Sequence, residues 1–138
     1  VSLAAVETAI VDRLATTGVK ALAATSADDF EKVRAPAFVV VFDGLAVKDG
    51  ASARDAAVAE AGWLVVAVSR NAMRPQDGAA ARHGALDMLQ DAFGALAGWQ
   101  PAGAMRPLRF AGAQGVDFEP PAALLPLRFT CEVQLTKE

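Results

Sequence analysis

Ala123-Leu-Leu-Pro-Leu-Arg-Phe-Thr-Cys-Glu-Val-Gln-Leu135 decides the fold. Leu125, Leu127, Phe129, Cys131, Val133 and Leu135 take every second position, and Arg128, Thr130, Glu132 and Gln134 stand between them. Side chains alternate across a strand with period two, so the segment predicts one apolar and one polar face. An antiparallel sheet with helices on one side and solvent or a partner on the other reads this way.

The other strands are read outward from this one. AFVVVF at 37–42, after Pro36, is a β-branched and aromatic run that predicts a strand buried on both faces, closed by turn chemistry at Asp43-Gly44. From Leu45 to Arg54 the turn-rich text predicts a mobile loop. GWLVVAVS at 62–69, within Ala56 to Ser69, predicts a second apolar strand. Both runs are expected beside the C-terminal strand, joined to each other by a connection long for a hairpin. PLRF occurs at 107–110 and again at 126–129, as two adjacent strands with similar demands would produce. Val116 and Phe118 precede a rigid break at Glu119-Pro-Pro.

Helical spacing marks two further segments. Leu3, Val6, Ile10 and Leu14, with Ser2 as N-cap and Gly18 as C′ residue, predict a helix over 3–17. Val19 to Ala24 reads as a short strand, and the polar segment from Ser26 to Arg34 as a capped helical turn or a loop. Leu86, Leu89, Phe93 and Leu96 predict the buried stripe of a second helix, ended by Gly98 with Trp99 folding back. Gly84 and Gly94 weaken that helix, which points to close approach to the sheet or the first helix.

Length and composition bound the function. At 138 residues the chain reads as a single domain over 1–138. The apolar fraction of 54% owes much to alanine, and no apolar run approaches the roughly 18 residues that span a bilayer. Glu7, Asp12 and Arg13 interrupt the first residues, unlike a signal peptide, so a soluble cytosolic product is expected. A formal charge of −3 argues against general nucleic-acid binding, and one cysteine allows neither an internal disulfide nor a zinc cluster.

Candidate chemical residues are few. His83, the sole histidine, has Asp87 four residues on, a spacing that suits a helix-surface pair, and no nucleophile within view. Cys131 falls on the apolar face of its strand, where a buried thiol is inert. Asp28, Asp29 and Glu31 lack the spacing and the glycine of a calcium loop. No GxGxxG, Walker-type loop, GxSxG or HExxH occurs. No catalytic, cofactor-binding or metal-binding residue is assigned, and no cofactor is expected. Arg70, Arg74 and Arg82 cluster around the start of the second helix, either for solubility or as a docking patch for an acidic partner.

ARHGALDMLQDAFGALAGWQP at 81–101, PLRF at 107–110, VDFE at 116–119 and the alternating last strand together resemble the small virion proteins of Mu-like phages and prophages. The N-terminal helix and PAFVVVF at 36–42 fit the same order, so the likeness covers most of the chain. It implies an α+β fold: a mixed, mostly antiparallel sheet with two helices packed on one face. It further implies a tail-terminator-like, non-enzymatic role as a ring, with a hexamer among its sizes, between the tail tube and the head–tail connector. The implied place is the virion tail, reached from the host cytoplasm during assembly, with no membrane and no sequence-specific nucleic acid as partner. A non-viral α+β binding module is the alternative, followed by a small enzyme, for which the chain offers no convergent polar cluster.

A ring needs two different patches on each subunit. The loop at 45–54, with Asp49 and Arg54, is one candidate, and Arg70, Arg74 and Arg82 are the other. The basic segment is expected to face Asp43, Asp49 and Asp55 of the adjacent subunit.

Overall fold

A computed structural model describes residues 2–24, 35–52, 56–70, 78–119 and 122–136. The elements run α1 (Leu3–Ala15), β1 (Lys20–Ala23), β2 (Ala37–Ser52), β3 (Ala56–Arg70), α2 (Gly78–Leu96), β4 (Arg109–Ala113), β5 (Asp117–Glu119) and β6 (Ala122–Thr136). They build one sheet in the order β1-β2-β3-β6-β4, with β5 also paired to β6. Among the described strands only β1 and β2 run parallel. The fold is therefore α+β with a mixed, mostly antiparallel sheet.

β6 pairs with β3 without interruption from Ala56↔Thr136 to Arg70↔Ala122. The alternation of β6 places Leu125, Leu127, Phe129, Cys131 and Val133 in the core with Trp63, Val65, Ala67 and Phe38. α1 and α2 close that face, α1 through Val6, Ile10 and Leu14. The Ser2 side chain caps α1 by accepting from Ala5 N at 3.2 Å, as its position predicts. α1 ends at Ala15, two residues before the expected end. Thr17 N and Gly18 N then bond back three residues, and Gly18 takes a φ of 89°. Arg13 ties the helices together, donating from Nε to Ala95 O at 2.9 Å while its guanidinium lies 5.4 Å from the Trp99 ring centroid. Ala37, Val39, Val66 and Val68 form a second buried cluster on the other face of the sheet.

Four expectations need correction. β2 does not stop at Asp43-Gly44 but continues to Ser52, so the expected loop at 45–54 is largely strand. Register shifts between Phe42 and Leu45 and between Val47 and Ser52 absorb the turn residues as bulges, with Gly44 at a φ of 98°. β2 and β3 therefore form a hairpin, and β2 reaches β6 only through β3. Burial on both faces holds for Ala37 to Val40 but ends at Phe42, which is exposed.

The third correction concerns α2. Its buried stripe is Ala81, Ala85, Met88, Ala92 and Leu96, while Leu86 and Phe93 are exposed and Leu89 is half-buried. Small alanines let the helix sit close to the sheet, and that closeness turns the larger side chains outward. Gly84 belongs to the same close approach: a Cβ there would lie 2.4 Å from Ser69 Oγ. A Cβ at Gly94 would meet nothing within 4 Å, so that glycine marks no close approach.

The fourth correction is to the polar face of β6. Arg128 and Gln134 are exposed and Glu132 half-buried, but Thr130 is only 2% exposed. Its cross-strand neighbours are Gly62 and Arg109, and the Arg128 guanidinium folds over Gly62, so long side chains roof this part of the sheet. The polar segment at 26–34 and the Pro120-Pro121 break lie outside the described residues.

Candidate partner interface

The sheet face opposite the helices carries a layer of charge. Glu60 and Glu132 stand directly across from one another on β3 and β6, an arrangement that is unfavourable unless cations intervene. Lys48 on β2 and Arg106 both pair with Glu132, the latter at 3.1 Å, and Arg109 on β4 lies 3.9 Å from Glu60. Arg128 pairs with Asp43 on the free part of β2. Lys48, Glu60, Arg106, Arg109 and Glu132 surround a cavity of about 80 Å³ with Thr130 in its wall. Thr130 Oγ1 and Trp63 Nε1 are both buried with no hydrogen-bond partner among the described residues.

This layer holds no nucleophile next to a base. Cys131 lines the same cavity, yet burial, with the Glu60 charge adding to it, pushes its thiol up to about 11. A thiol so shifted stays protonated near neutrality and is a poor nucleophile. His83 and Asp87 are exposed on α2. Among the described residues no group of three metal-ligating side chains converges, and no helix is long and apolar enough to cross a membrane.

The sequence-predicted interface residues separate. Arg70 ends β3 and Arg82 lies in the second turn of α2, both exposed. The approach of Gly84 to Ser69 puts them at the same end of the sheet. Asp49 lies on β2 near the β2–β3 hairpin, at the opposite end. At about 3.3 Å per residue, the 15 residues of β3 hold the two ends roughly 45 Å apart. Arg54 and Arg74, with Asp55, lie outside the described residues. Asp43 is already engaged by Arg128 within the chain.

Two apolar strips went unnoticed in the sequence. Among the described residues β1 covers β2 only at Ala37 to Val40, and none pairs with that side of β2 beyond Val40. Along that edge Phe42, Leu45 and Val47 are all exposed on the helix side of the sheet. At the other edge Leu86 and Phe93 of α2 are exposed, and the Phe93 ring packs edge-on against Phe110 of β4 at 5.6 Å. The signal for the first strip was present: apolar alternation resumes at Leu45 and Val47 once the two residues Asp43-Gly44 are read as a bulge.

No curated protein matches the sequence significantly. Among solved structures, a chain of the virion of a native gene transfer agent particle superposes with a TM-score of 0.63 at 18% identity, covering 95% of this chain and 96% of that one. At that identity the likeness establishes a shared fold. The family model described as phage tail terminator protein matches residues 3–138. The chain thus belongs to the phage tail terminator family, a family of structural virion components rather than enzymes.

Proposed function

We propose that the chain is the subunit of a closed ring that caps the head-proximal end of a phage tail and joins it to the head connector. The family match over residues 3–138 carries this reading. The motifs at 81–101, 107–110 and 116–119 support a Mu-like phage or prophage as its source, with assembly in the host cytoplasm.

The long sheet suggests how such a ring meets two different neighbours. Arg70 and Arg82 offer a basic surface at one end of the strands, while Asp49 belongs to the hairpin end of β2. Their separation favours contacts with two different partners, tail tube and connector, over pairing of the basic segment with Asp49 of the adjacent subunit. Exposed ion pairs contribute about 0–1 kcal/mol each, so they orient the ring more than they hold it.

The test mixes purified chain with tails that lack it and images them by negative stain. A ring-shaped cap on one tail end is expected. Uniform binding along the tail, or none, would contradict the proposal.

A further inference from the structure

We infer that the exposed strip on the free part of β2 docks onto the Leu86–Phe93 flank of α2 in a second copy of this chain. The inference rests on the ring reading and names the surface that would close the ring. Phe42, Leu45 and Val47 form one strip, and Leu86, Phe93 and the half-buried Phe110 form the other. Both lie on the helix side of the same sheet, at opposite edges. A head-to-tail contact joins unlike patches, and these are two unlike apolar patches placed where successive copies would meet. Clusters of exposed apolar side chains mark contact sites more often than isolated ones do.

Extent and charge favour the same occupant. Phe42 is 44% exposed and Phe93 46%. With each aromatic side chain presenting roughly 150–250 Å², each strip offers on the order of 200 Å² of apolar surface. That is a minor share of the about 1,200–2,000 Å² in a stable interface, so strips meeting once would hold weakly and a closed set would hold better. On the outer face Arg109 marks the β4 edge, only 3.9 Å from Glu60, and Asp43 marks the β2 edge. Successive copies would bring these opposite charges near one another, and since each is already paired within its own chain they would orient the contact more than strengthen it. Register breaks at Phe42/Leu45 and Phe110/Gly112 limit any backbone ladder between the two edges, leaving side chains to carry the contact.

The experiment uses the full chain in three variants: Val47→Cys, Phe93→Cys, and the two together, oxidised at high protein concentration. Cys131 is buried and stays silent. The double variant is expected to give a ladder of cross-linked species ending in a closed one, and each single variant only monomer. Dimers from Val47→Cys alone would show a two-fold contact and overturn the inference. Charge variants Val47→Lys and Phe93→Glu, with Leu86→Glu in reserve should either fail to fold, should each raise the concentration for ring assembly about tenfold or more. Wild-type rings that persist unchanged in these variants would overturn the inference and leave the ring intact. A wild-type chain that never exceeds monomer, on tails or off them, would end both.

Discussion

Replacing Gly84 with alanine sets a helix preference against a close approach. In the interior of α2, alanine is favoured over glycine by about 1 kcal/mol. The new Cβ would meet Ser69 Oγ at 2.4 Å, well inside contact distance, while Ser69 Cβ stands at an ordinary 3.5 Å. Ser69 is buried, so its hydroxyl must turn or the helix must lift, and overpacking of this kind costs about 1–3 kcal/mol. Gly84→Ala should therefore destabilise by about 1 kcal/mol net. In a Ser69→Ala background the obstructing oxygen is gone, and the same change should stabilise by about 1 kcal/mol. The cycle then carries a coupling of about 2 kcal/mol. Urea denaturation followed through Trp63 and Trp99 fluorescence measures all four proteins. Equal effects of Gly84→Ala in both backgrounds would refute the close approach of α2 to β3.

Four further outcomes follow from the core and the charged face. Phe129→Asp, with its side chain fully buried between Trp63 and Phe110, should destabilise by more than about 4 kcal/mol in thermal melts. Thr130→Asp should cost clearly less than Phe129→Asp but more than Gln134→Asp, since Thr130 is roofed yet has Arg109 beside it; equal loss at 130 and 134 would show an open face. Cys131 has its thiol raised from 9.0 to about 11, so the unfolded chain loses that proton first as pH rises. Its stability contribution is intact below pH 9 and declines between 9 and 11, by on the order of 2 kcal/mol, and Cys131→Ser should remove this decline. Identical alkaline slopes in the two proteins would refute the shift. Glu132→Gln should lower stability by up to about 1 kcal/mol at low salt and less at high salt; an undiminished effect at high salt would count against the pairs with Lys48 and Arg106.

β6 was legible because a period-two pattern over Leu125 to Val133 admits one secondary structure and one buried face. The burial of Thr130 was hidden because it depends on Gly62 and Arg128, remote in sequence or folded over from the side. α2 was legible as a helix, but its buried side was not. Hydrophobic size points to Leu86 and Phe93, whereas the close approach at Gly84 selects alanines. β2 was cut short because Asp43-Gly44 and Lys48-Asp49-Gly50 resemble turns, and a bulge uses the same residues without ending the strand. Of the expected interface residues, Arg70 and Arg82 are exposed, as surface arginines ordinarily are. Their distance from Asp49 could not be read before the hairpin was known, and the apolar strips needed both the bulge and the turned helix.

The proposed ring at the tail end is tested most directly by deleting the chain from the particle it belongs to and returning it. Particles made without it should separate into filled heads and unattached tails, and adding purified wild-type chain to that extract should restore joined particles with one ring at the neck. Joined, infectious particles formed in its absence would contradict the account.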